Sequence, residues 1–131
     1  MIESRFCSYN ANPKNKRIGD CVIRAISTAL GRSWEDVYID LCVDGLMNFE
    51  LPNSDLLWGE YLKRNGFKRG ILSCENGLCV TVNDFCEMNP QGVFIVCPTN
   101  HVVAVIDGLF YDTWDCGNEI INYYWERAKE R

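Results

Sequence analysis

Asp107-Gly108 constrains this chain more than any other pair of residues. It stands between HVVAVI and LFYDTW, two runs of branched and aromatic side chains. Asp-Gly suits the two-residue turn that closes a β-hairpin, because both central positions need positive φ. With that turn as the centre, Ile106 faces Leu109, and pairing steps back through Val105–Phe110, Ala104–Tyr111, Val103–Asp112 and Val102–Thr113 to His101–Trp114. Side chains alternate across a sheet, so His101, Val103, Val105, Phe110, Asp112 and Trp114 share one face. Asp112 is then the diagonal neighbour of His101, with Trp114 opposite, and a one-residue slip would put Asp115 in its place.

The rest of the chain separates into two styles. From Gly92 onward, GVFIVC and IINYYW join the hairpin runs as further strands, and Tyr123, Tyr124 and Trp125 are expected to close the sheet. Upstream, a helix over about 20–30 carries Val22, Ile23, Ile26, Ala29 and Leu30 on one face, with Asp20 as its N-cap and Gly31 ending it. Ser33 and Asp36 resemble a capping box for a second helix, and Pro52-Asn53-Ser54 opens a third that Asn65-Gly66 closes. Phe67 to Leu72 reads as a short strand, 73–79 as a turn, and Asn83-Asp84 as the cap of a short helix stopped by Asn89-Pro90. Residues 1–19 read as irregular. The expected fold is one α+β domain over residues 1–131, its N-terminal helices packed on a C-terminal antiparallel sheet.

Composition excludes several classes. With 47% hydrophobic and 24% charged residues the chain is neither disordered nor a membrane protein, and no apolar run approaches the ~18 residues of a span. MIESRFCSYN lacks the apolar stretch of a signal peptide, so a cytoplasmic location is expected, with no membrane partner. A net charge of −5 argues against nucleic acid, and Lys14, Lys16 and Arg17 read as a solvated loop, as do Glu35, Asp36 and Asp40 as a solvated helix face. The eight cysteines are expected to be reduced thiols. Neither Cys74 with Cys79 nor Cys79 with Cys86 has C-x₂-C spacing, and a lone histidine cannot complete several sites, so no metal or other cofactor is expected.

The chemistry rests on Cys21 and His101. Cys21, in GDCVIRAISTAL, opens the first helix, and His101 is the only histidine. A helix N-terminus and a nearby imidazolium both favour a thiolate, the nucleophilic form of cysteine. Together the two would be a nucleophile and its base, with Asp112, or Asp115 after a slip, holding the imidazole. Against this, a thiol on an apolar helix is most often a small core residue. Trp114 likewise reads first as packing.

A cysteine at a helix start, then a histidine, then an aspartate followed two residues later by a tryptophan resembles the papain-like cysteine peptidase superfamily. Asp20-Cys21, the small size and HVVAVIDG are most similar to the branch that removes double-glycine leaders from bacteriocins, over roughly residues 15–35 and 92–116. The resemblance implies a Cys21–His101–Asp112 triad, Trp114 shielding the His–Asp pair, and Asp20 in support. It also implies an oxyanion-binding amide six positions before the nucleophile. That position holds Asn15 rather than glutamine, with Asn12 and Asn10 as alternatives. The implied activity is that of a cysteine-dependent hydrolase, a peptidase or a related amide or isopeptide acyl-transfer enzyme, acting on a peptide or protein in a bacterial or phage setting. The alternative is a weak or inactive papain-like binding module, of the kind a phage encodes against a host protein. No sequence feature specifies an oligomeric state.

Overall fold

The computed structural model describes residues 4–72, 74 and 78–128. Its elements are β1 (Phe6–Ser8), α1 (Cys21–Leu30), α2 (Trp34–Asn48), α3 (Asp55–Arg64), β2 (Phe67–Ile71), α4 (Val82–Met88), β3 (Val93–Pro98), β4 (Val103–Ile106), β5 (Leu109–Asp112) and β6 (Ile121–Arg127). The fold is mixed α+β, with α1 to α3 standing between β1 and the other five strands of the sheet.

Local chemistry accounts for most boundaries. Gly31 ends α1 at φ 66°, where a side chain would be strained, and Ser33 Oγ accepts the Asp36 N–H at 3.0 Å to start α2. Ser54 precedes α3, and Gly66, at φ 87°, follows its C-cap Asn65. The cap of α4 is Thr81, not Asn83-Asp84. Thr81 Oγ1 accepts from the Asp84 N–H at 3.1 Å while the Asp84 carboxylate accepts from the Thr81 N–H at 3.0 Å. Asn83 already lies in the first turn, its N–H bound to the Gly117 carbonyl.

The six strands form one sheet in the order β1-β5-β4-β3-β6-β2. Asp107 and Gly108 turn with φ 49° and 78°, and Ile106↔Leu109, Val105↔Phe110 and Ala104↔Tyr111 pair in the register that turn dictates. The ladder stops there. Val103 and Asp112 are not ladder partners, and Thr113 and Trp114 lie in a bend, so the expected Val103–Asp112, Val102–Thr113 and His101–Trp114 backbone pairs are not formed. The bend begins where an Asp112 carboxylate oxygen accepts the Thr113 N–H at 2.7 Å. Residues 1–19 are not wholly irregular, since β1 pairs with β5, and does so in parallel, which corrects an all-antiparallel sheet. A three-residue strand has no period by which sequence could show it.

Two apolar layers flank the sheet. On one face α1, α2 and α3 contribute Ile26, Leu41, Trp58 and Leu62 against Ile95 and Trp125. On the other, α4 and the loops pack Val82, Phe85 and Cys116 against Phe94, Val103 and Phe110. All six residues of β3 are buried, as a strand covered on both faces must be, and each large side chain so buried contributes about 1.5–3 kcal/mol. Asp40 is not a free member of a solvated acidic face: it accepts from Tyr61 Oη at 2.6 Å and Arg32 Nη1 at 2.5 Å, which ties α2 to α3. The expectation that every thiol is reduced also fails, because Cys74 and Cys79 form a disulfide with Cα atoms 4.5 Å apart. Burial pushes the Cys86 and Cys97 thiols up to about 12. No helix among the described residues is long and apolar enough to cross a membrane.

Candidate active site

Cys21 is the first residue of α1, so its N–H is among the helix-start donors that have no intrahelical acceptor. Its side chain lines a cleft of ≈ 390 Å³ together with His101. His101 follows Asn100, whose φ of 58° turns the chain between β3 and β4, and its N–H bonds the Pro98 carbonyl at 3.3 Å. That turn sets the imidazole at the end of the sheet where β5 finishes with Asp112. His101 Nε2 lies 2.5 Å from Asp112 Oδ2.

The electrostatics of the pair are strongly coupled. Burial pushes the His101 proton affinity down, but the Asp112 hydrogen bond, the neighbouring Cys116 and Cys21 thiols and the Asp112 charge reverse it, so the imidazole pKa is pushed up to about 11. Burial likewise pushes the Asp112 carboxyl up. The His101 hydrogen bond and charge, the Thr113 N–H and Arg24 outweigh it and hold the carboxyl below the ordinary carboxylate range. Asp112 therefore accepts and Nε2–H donates, which leaves Nδ1 as the ring nitrogen free for a second partner.

Asp112 is only 2% exposed and is surrounded by donors. Oδ1 accepts from Arg24 Nη1 at 3.1 Å and Thr113 N at 2.7 Å, and Oδ2 accepts from Cys116 Sγ at 3.3 Å as well as from His101. Arg24 Nε in turn donates to Asp20 Oδ1 at 2.8 Å. Asp20 is at the N-cap position of α1, yet its carboxylate makes no cap bond. It accepts instead from Arg24, from Asn12 Nδ2 at 3.2 Å and from Trp34 Nε1 at 3.0 Å. The caps expected of Asp20 are thus replaced by a buried network that ties the 10–17 loop, α1 and α2 to Asp112. Sequence reasoning missed Arg24 and Cys116. The available signal was a single charged residue, Arg24, inside the mostly apolar CVIRAISTAL.

The other expected residues separate clearly. Trp114 stands beside His101 with ring centroids 5.1 Å apart, although 44% of it remains exposed. Asp115 does not reach the imidazole; its Oδ1 accepts the Gly117 N–H at 3.0 Å. Asn15 is exposed, with φ 57°, and lines a separate concavity with Ser8, Tyr9, Asn10, Arg17 and Thr113. The structure does not bring it into the Cys21 cleft. Asn10 and Asn12 are engaged in shaping the same loop, through Asn10 Nδ2 to the Lys16 carbonyl at 3.0 Å and Asn12 Oδ1 from the Lys14 N–H at 3.0 Å. The side-chain amides that do line the cleft are Asn53, Asn100 and Asn122.

His101, Asp112 and Cys116 are the one trio among the described residues whose ligand atoms, all within 4.8 Å of one another, could converge on a metal ion. Their hydrogen bonds to one another already satisfy them, and the Arg24 cation on the same carboxylate opposes a second positive charge. No family model, curated protein or solved structure matches the chain.

Proposed function

We propose that this chain is a cysteine-dependent hydrolase or acyl-transfer enzyme of papain-like type, acting on an amide of a peptide or protein. The observation that carries the reading is the His101–Asp112 pair facing the cleft that also holds Cys21, at the first position of a helix. In this reading Cys21 Sγ, as thiolate, attacks the carbonyl carbon. The tetrahedral oxyanion receives the Cys21 N–H, and its collapse breaks the C–N bond as the imidazolium of His101 protonates the leaving amine. Water, or a second amine, then adds to the thioester, giving its proton to the neutral imidazole and releasing the thiolate. A high imidazole pKa fits this order, with the proton resting on His101 before substrate arrives. Asp112 fixes the ring, and Arg24 fixes Asp112.

Asn15 plays no oxyanion role in this proposal. The second donor comes from Asn53 or Asn100 of the cleft. Loss of one well-placed donor costs about 10²–10³ in rate, so an exposed Asn15 also favours the alternative of a slow or inactive papain-like binding module.

Iodoacetamide labelling with mass-spectrometric mapping separates the two. The enzyme reading expects Cys21 to label ahead of the half-buried Cys7 and Cys42, with His101→Ala removing the advantage. Cys21 labelling no faster than Cys7 and Cys42, in wild type and His101→Ala alike, points to the binding module and overturns the enzyme.

A further inference from the structure

The largest feature the active site leaves unexplained is the outer side of α2. That helix turns Val37, Leu41 and Gly45 toward the core, yet Ile39, Val43, Leu46 and Met47 stand at i, i+4, i+7 and i+8 on the opposite side, each more than half exposed. An apolar stripe on the outer side of a helix that also carries Asp36, Asp40 and Asp44 is surface that a partner would normally cover. The apolar surface continues past the helix end. Leu46, Met47, Phe49, Leu51 and Leu56 are 71–94% exposed, and Phe49 is the most exposed of them.

Phe49 is also strained. It caps α2 at φ 56°, a position that suits glycine or asparagine and strains a bulky residue. The fold gains no burial from the phenyl ring in return. Beside it, Asn48, Glu50, Leu56, Leu57, Glu60 and Arg64 line a cleft of ≈ 350 Å³ between α2 and α3. A projecting aromatic therefore lies next to a cleft that presents Leu56 and Leu57 within a charged rim that includes the Arg64 guanidinium.

We propose that this face is a self-association surface on which two copies of the chain pair about a two-fold axis, each seating Phe49 in the α2–α3 cleft of the other. A two-fold interface must be complementary to itself, and a knob beside a hole meets that requirement. The charged rim meets it too. Asp44 pairs with Arg64 and Glu60 with Lys63, so both signs are present at the edge, and a partner of a single sign is not selected. Seven large, mostly exposed apolar side chains offer area on the order of the 800 Å² that each partner gives to a standard interface. None of the seven lines the Cys21 cleft.

Sedimentation of the full chain across the micromolar range tests this directly. The wild type should dimerise with increasing concentration. Phe49→Gly should weaken the dimer at least tenfold while its melting temperature stays level or rises, because the strained φ is relieved. Leu46→Asp, an exposed site, should give a monomer with unchanged Cys21 labelling, whatever the rate of that labelling. A chain that is monomeric throughout overturns the proposal, including one whose α2 face then proves to bind a different protein. So does a dimer that neither substitution weakens.

Discussion

Arg24 sits between the two buried carboxylates of the site network. It bridges Asp20 and Asp112, with side-chain exposures of 12%, 3% and 1%, so its removal takes from two buried carboxylates the cation they share. Arg24→Ala should cost about 3–5 kcal/mol in urea unfolding and slow Cys21 alkylation, with Arg24→Lys restoring part of both, whereas Arg32→Ala at the surface should do little. Equal effects of the two alanine variants would remove Arg24 from its bridging role. His101 makes a second prediction at this scale. Its folded pKa, about 11, lies above the ordinary 6.5, so the folded state holds the proton that the unfolded state releases. The stabilisation from the His101–Asp112 pair is fully present below pH 6.5 and is lost as pH rises toward 11. Urea midpoints measured over that range should fall in the wild type, and the fall should be shallower in His101→Gln. Parallel curves for the two proteins would show that the pair contributes no linked stability.

Among the elements, the helices depend on their caps and the sheet on one turn. Ser33 and Thr81 each satisfy a helix-start N–H through a side-chain oxygen. Ser33→Ala and Thr81→Ala should each destabilise by about 1 kcal/mol in urea titrations, and Ser54→Ala, whose side chain makes no cap bond, by less. A Ser54→Ala cost as large as the other two would contradict that ranking. The hairpin was legible because Asp107-Gly108 supplies both positive φ values locally, and the same turn distinguishes Asp112 from Asp115. β1 was not legible. Its three residues make sense only against β5, through Phe6↔Phe110 and Ser8↔Asp112.

For the whole molecule, the site and its supports come from both ends of the chain and from both layers. α1 brings Cys21 and Arg24, while the β3–β4 turn, the end of β5 and the segment beyond it bring His101, Asp112 and Cys116. The Cys74–Cys79 disulfide belongs to a separate part of the chain, before α4. Reducing it, or replacing both cysteines by serine, should lower stability by about 2 kcal/mol, the chain-entropy expectation for so short a loop, and leave Cys21 labelling unchanged. A labelling rate that followed the reduction would couple the two regions.

What the sequence determined by itself was the chemistry that acts within a few residues: where the N-terminal helices stop and start, the turn at Asp107-Gly108, and hence the face on which His101 and Asp112 meet. Backbone φ preferences and strand alternation are local, so a single chain displays them. Only the tertiary structure decided that Arg24 reaches Asp112 across 88 residues, that Asp20 serves a network rather than a cap, and that Asn15 stands outside the Cys21 cleft. A charge or an amide takes its role from the groups that packing sets opposite it. That opposition is fixed when the helices close over the sheet, and no spacing along the chain encodes it.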